Sequence, residues 1–166
     1  MADAGKAADD ITASDVLSGK DVSGKAVIVT GASSGVGIGI ARAFAKAGAD
    51  VTLPARNLEA ANQVAAEIAK EGGKRPRVMH LDLLSLKSVR AFAKEWGGAP
   101  LDLLINNAGL MAPPLTHTED GFESQMSVNF YAPFLLSELL VPALKKRAPS
   151  RVVMVSSGSH HGSRLR

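Results

Sequence analysis

From Lys25 onward, short β-branched runs alternate with stretches whose apolar residues recur every three or four positions. The extended runs are 26–30 (AVIVT), 50–53, 77–81, 101–105 (LDLLI) and 152–155 (VVMV). The helical stretches are 36–47, 58–71, 86–96 and roughly 119–146, with apolar spacing as in Val64 and Ile68, or Val89, Phe92 and Trp96. Strands that are apolar on both faces and separated by helices predict a parallel sheet covered on both sides. Right-handed crossovers then predict an α/β, doubly wound sheet of about five strands in the order 3-2-1-4-5. No helical stretch follows the fifth run, so the sheet is expected to be incomplete at its C-terminal edge. Residues 1–24, small and polar, read as a surface arm, and residues 25–166 as one domain, as the 166-residue length suits.

The first strand runs directly into Thr30-Gly31-Ala32-Ser33-Ser34-Gly35-Val36-Gly37, which opens a helix. Gly31 lets the chain turn off the strand, Gly35 lets backbone approach a pyrophosphate, and Gly37 lets the helix pack closely. The free N–H groups of the helix start face an anion there, and Ser33 and Ser34 add hydroxyl donors. A loop that merely caps a helix would fit the glycines alone, but its place between strand one and helix one favours dinucleotide binding on a Rossmann-like sheet. The spacing is neither G-x-G-x-x-G nor a Walker loop.

This run resembles the T-G-x-x-x-G-x-G motif of short-chain dehydrogenases/reductases, and four further features follow in that family's order. Asp82 (in HLDL) resembles the acidic residue at the adenine. Asn106-Asn107-Ala108-Gly109 resembles the N-N-A-G motif beside the cofactor. Asn129 (in SVNFYAPFLL) stands where the family has its active-site Asn, and Ser156-Ser157 (in RVVMVSS) resembles the segment whose second Ser is catalytic. The likeness covers about residues 25–160, and ARN after strand two with SSGSH after strand five points to the retinol-dehydrogenase-like branch. It implies an NAD(P)-dependent oxidoreductase that interconverts a carbonyl and an alcohol on a small-molecule substrate. Ser157 would polarise the substrate oxygen and Asn129 would position a relay water. The cofactor would be held by Gly31, Ser33, Ser34, Gly35, Val36, Gly37, Arg56, Asn57, Asp82, Leu83, Asn107, Ala108 and Gly109; Met111-Ala112-Pro113-Pro114 reads by itself as a loop, which in the family borders the substrate. The family's Tyr-x-x-x-Lys is not among these residues, because the one Tyr, Tyr131, is followed four positions later by Leu135. The 166-residue chain is therefore expected to lack the acid/base of the reaction and to be inactive alone. A dinucleotide-binding fragment or partner-binding remnant without turnover is the alternative.

After strand two comes Pro54-Ala55-Arg56-Asn57, with no carboxylate to accept from a ribose 2′-hydroxyl. Arg56 offers a fork of donors suited to a 2′-phosphate, so NADP is favoured over NAD.

Composition excludes other classes. With no Cys there are no disulfides, thiolate metal sites or Cys nucleophile. The net charge of +3 comes from 19 basic and 16 acidic residues spread along the chain without a basic stripe interleaved with aromatics, so nucleic acid is not expected. His160-His161 lack a third ligand at regular spacing, and no G-x-S-x-G surrounds Ser157, so neither a metal site nor a hydrolase is expected. The apolar stretch 130–144 is broken by Pro133, Ser137, Glu138 and Pro142 and reads as a buried helix, not a membrane span. No secretory leader is read at the N-terminus, and a cytoplasmic location is the expectation. By resemblance, the helix around 119–146 would also face a neighbouring subunit in a homo-oligomer.

Overall fold

The computed structural model describes residues 11–158. Its elements run α1 (Ala13–Leu17), β1 (Ala26–Val29), α2 (Gly35–Lys46), β2 (Asp50–Ala55), α3 (Leu58–Lys70), β3 (Arg77–His80), α4 (Leu86–Trp96), β4 (Leu103–Asn106), α5 (Ser124–Met126), a π-helical turn (Ser127–Tyr131), α6 (Ala132–Lys145) and β5 (Arg151–Met154). All five strands are parallel, in the order β3-β2-β1-β4-β5, the doubly wound arrangement that the alternating pattern predicts. The order reverses direction at β1, which places a crevice beyond the carboxyl ends of β1 and β4.

Period-two alternation divides each central strand between two cores. Val27, Val29 and Ile105 face α2 and α3, joining Ala41, Ala45, Val64 and Ile68. Ile28 and Leu104 point the other way, against Val89, Phe92 and Trp96 of α4 and Leu136, Leu140 and Leu144 of α6. Ile28 and Phe92 are wholly buried, and each such side chain contributes roughly 1.5–3 kcal/mol. Alanines on α2 (Ala41, Ala43, Ala45) let that helix lie close to the sheet. At the end away from the crevice, the buried carboxylate of Asp102 accepts from the Ala26 N–H (2.9 Å) and pairs with Lys25 (3.2 Å), pinning β1 to β4.

Several boundaries depart from the sequence reading, for local reasons. Residues 11–24 are more than an arm: α1 is closed by a Thr12/Asp15 capping box, packs against α2, and is followed by Val22, which reaches the core. β2 runs on to Ala55, because proline's fixed φ is compatible with extended backbone even though Pro54 donates no hydrogen bond. The stretch expected as one helix over 119–146 begins at Ser124 and contains the π turn. Its cause is in the sequence: Pro133 has no N–H to return to the carbonyl of Asn129, and the Ala132 N–H reaches back to Ser127. The continuous run Ser124–Lys145 is long and apolar enough to cross a membrane by length and composition, so its prolines and Glu138 do not disqualify it as the sequence reading supposed. In this fold 44% of its most apolar window is buried, against α4 and β4.

β5 forms the edge of the sheet. Val152, Val153, Met154 and Val155 are each 42–52% exposed, and no helix of the described residues covers either face of the strand.

Candidate functional site

The cleft at the carboxyl ends of the strands has a volume of about 590 Å³, within the usual range for a small-molecule or cofactor site. Its centre is one hydrogen-bonded unit built from the turns after β1 and β4. The buried Thr30 Oγ1 accepts from the N–H groups of Asn107 (3.0 Å) and Ala108 (3.1 Å). The Asn107 carboxamide donates back to the Thr30 carbonyl (3.0 Å). Gly31, at φ +67°, passes so close to this second turn that a Cβ there would lie 2.7 Å from the Ala108 Cα. Gly37 has no room either, since a Cβ would strike the Gly31 carbonyl oxygen and the Ala32 backbone. Gly31 and Gly37 are thus packing glycines. Gly35 differs: it sits at φ +55° with open space where a side chain would go.

α2 begins with no side-chain cap, for the Ser34 hydroxyl makes no capping bond. Its first N–H groups therefore lie open at the cleft, an arrangement that attracts an anion through both unmet donors and helix dipole. Ser33, Ser34, Val36 and Gly37 line the cleft there.

On the β2–β3 side the wall is Pro54, Ala55, Arg56, Leu81, Asp82, Leu83 and Leu84. Arg56 is exposed and has no carboxylate partner among the described residues, so its guanidinium is available to a ligand. Asp82 is held by its own loop: Oδ1 accepts from the Leu84 N–H (3.0 Å), and the Asp82 N–H donates to Ser88 Oγ (2.9 Å). Arg56 and Asp82 are the charged residues in the lining. On the β4–β5 side the wall is Asn107, Ala108, Gly109, Leu110, Val128 and Val155.

Four of the residues expected to hold the cofactor or act in catalysis stand outside this lining, as does the stretch Met111-Ala112-Pro113-Pro114 expected beside the substrate. Gly35 is flanked by Ser34 and Val36, which do line it. Asn57 is the N-cap of α3, its Oδ1 accepting from the Ala60 N–H (3.0 Å). Asn129 lies in the π turn, and its carboxamide grips the Leu110 backbone, accepting from the N–H (2.8 Å) and donating to the carbonyl (2.9 Å). Ser157 is exposed beyond the end of β5. His160 and His161 lie outside the described residues, and no group of potential metal ligands occurs among the described ones. Thr30 is the residue that sequence reasoning passed over. Its signal was a hydroxyl at the end of strand one facing an Asn-Asn pair at the end of strand four.

One buried polar group at the edge of this region lacks a partner. Asn106 donates through Nδ2 to Ser137 Oγ (3.0 Å) and Met154 Sδ (3.1 Å), while its Oδ1 accepts nothing.

Known proteins share this arrangement. A family model described as short chain dehydrogenase matches residues 25–164. Human retinol dehydrogenase 11 is 46% identical over 145 residues, covering 86% of this chain and 46% of that protein. The WW domain-containing oxidoreductase of Danio rerio is 46% identical over 149 residues, or 88% of this chain and 36% of that protein. A putative short chain dehydrogenase from Escherichia coli CFT073, solved in complex with NADPH, superposes with a TM-score of 0.74 at 33% identity, covering 87% of this chain and 63% of that one. The chain thus spans less than half the length of these curated relatives. Turn, sheet order and sequence agree that this chain belongs to the short-chain dehydrogenase family, in its retinol-dehydrogenase-like branch.

Proposed function

We propose that this chain is the cofactor-binding part of an NADP-dependent oxidoreductase that interconverts a carbonyl and an alcohol. The observation that carries the reading is the uncapped start of α2 beside the open Gly35, with the unpaired Arg56 on the β2 side. Those features fit a dinucleotide with a 2′-phosphate: pyrophosphate on the α2 N–H groups, adenosine between Arg56 and Asp82, and the nicotinamide end towards Leu110 and Val155. When bound, the nicotinamide supplies the hydride chemistry. The protein's part is to fix the dinucleotide and to hold a proton donor at the substrate oxygen. Ser157 and Asn129 are the residues proposed for polarising that oxygen and ordering water, in line with the family pattern.

Neither of those titrates near neutrality, and the one Tyr stands outside the cleft lining. Tyr131 packs on Phe122 (ring centroids 4.4 Å apart) and Phe130 (5.3 Å). This favours a second reading for the 166-residue polypeptide by itself, as a dinucleotide-binding unit without turnover. Exposed Phe130 and Phe134 on the π turn and α6 are proposed as a contact between copies.

The test is a fluorescence titration of the 166-residue chain with NADPH and with NADH. Saturable binding with NADPH at least about tenfold tighter is expected, because a charge-assisted contact contributes roughly 1.5–3 kcal/mol. Equal affinities would overturn the choice of NADP, and no binding of either would overturn the cofactor reading.

A further inference from the structure

The segment that leaves β4 and forms the wall of the cleft opposite Arg56 has an unusual backbone. Ala112 lies at φ +49°, the one non-glycine in the left-handed region among the described residues. An L-residue stays there only where its surroundings hold it. Burial does not hold it: Ala112 is itself exposed, as are Met111 (91%) and Leu115 (77%) along the same segment. What holds the segment is two carboxamides from one helical run. Asn129 takes both backbone groups of Leu110. Gln125 Oε1 accepts from the N–H of Ala112 itself (2.9 Å). Gln125 and Asn129 stand four positions apart, so successive turns of the run present both groups to one loop. Leu110, fixed between them, lines the cleft on the β4–β5 side.

We infer that Gln125 is a positioning residue for the nicotinamide end of the cofactor: by holding Ala112 in its left-handed conformation it sets where Leu110 closes the cleft. The inference rests on the dinucleotide reading of the same cleft and adds a residue that the glycine turn and Asn-Asn-Ala-Gly pattern do not include. Gln125 touches no ligand in this role and acts through the loop.

The test separates the two ends of the cofactor. The 166-residue chain and its Gln125→Ala, Gln125→Glu and Gln125→Ala/Ala112→Gly variants are titrated with NADPH and with adenosine 2′,5′-bisphosphate, which lacks the nicotinamide end. Gln125→Ala is expected to weaken NADPH by about three- to tenfold, the scale of one lost hydrogen bond. It should leave the bisphosphate unchanged, which also reports that the variant is folded. Gln125→Glu keeps an acceptor for the Ala112 N–H and should bind NADPH as the parent does. The added Ala112→Gly removes the strain and should recover part of the loss. Unchanged NADPH affinity in Gln125→Ala, or equal losses for both probes, would overturn the role of Gln125. A parent chain that binds neither probe would instead overturn the cofactor reading, and this inference with it.

Discussion

Gly35 and Gly37 stand two residues apart in one turn and answer to different physics. Gly37 is enclosed, so Gly37→Ala forces α2 away from the Gly31 carbonyl and the Ala32 backbone. Such overpacking is expected to cost about 1–3 kcal/mol, read as a lowered Tm in a thermal melt. Gly35 faces open space, where a ligand's phosphates are proposed to lie. Gly35→Val is therefore expected to abolish measurable NADPH binding while lowering Tm less than Gly37→Ala, although its positive φ adds some strain. Unimpaired binding by Gly35→Val would show that the anion does not sit at this turn. Arg56 gives a second test at this scale. Arg56→Ala should weaken NADPH by roughly one to two decades and NADH little, since only the former has a phosphate for the guanidinium. Equal losses in the two titrations would leave Arg56 a surface residue. The close packing at Gly31 and Gly37 and the place of Arg56 in the cleft wall were legible in the sequence because they follow from the local chain. Thr30 was not, since its function depends on Asn107, whose N–H lies 77 positions along the chain from the hydroxyl it meets.

At the scale of elements, the helical run that carries Gln125 and Asn129 is organised at its start by Glu123. Its carboxylate caps the run, accepting from the N–H groups of Gln125 (2.8 Å) and Met126 (2.9 Å). The bond from Gln125, then that from Met126, holds the Glu123 carboxyl below the usual glutamate range, with smaller help from the Ser124 hydroxyl and His117. A carboxyl lowered in the folded state stabilises the fold fully above its unfolded value, and the contribution fades as pH falls through the folded one. Glu71, lowered chiefly by Lys46, acts in the same direction. Tm is accordingly expected to fall as pH drops from neutrality into the acid range, and more steeply for the parent than for Glu123→Gln, which has no charge to lose. The two melting curves should converge in acid; a constant gap between them from pH 7 to pH 3 would remove Glu123 from the account. Strands and helices were legible because their periods are written into every turn of sequence, as at Val89, Phe92 and Trp96. The π turn was not read, although Pro133 announces it, because period alone does not tell whether a freed carbonyl ends a helix or widens it. The clamp on Leu110 was equally hidden: Asn129 was found as a motif residue, but its partner lies 19 positions away on another segment.

For the whole molecule, two exposed apolar surfaces are candidates for a contact between copies. One is the pair Phe130 and Phe134, 55% and 60% exposed, four positions apart on the run that forms α6. The other is the edge strand β5, whose outer backbone groups have no neighbouring strand among the described residues and whose valines are half exposed. Edge strands of this kind pair readily with another chain. The helix surface is the one proposed for a symmetric contact, because in a two-fold dimer each copy would bury the same phenylalanine and so count its contribution twice. Burial of one Phe contributes roughly 1.5–3 kcal/mol, so replacing it in both copies should weaken association by two decades or more. Sedimentation velocity over a range of concentrations is the measurement, comparing the 166-residue chain with Phe134→Glu and with Val153→Lys. Neither residue lines the cofactor cleft, so NADPH affinity serves as the control for folding in both variants. Phe134→Glu is expected to sediment as a monomer at concentrations where the parent associates, and Val153→Lys to keep the parent's behaviour. If instead the lysine on β5 disperses the chain and the glutamate on α6 does not, association runs through the sheet edge, and the helix surface is not where copies meet.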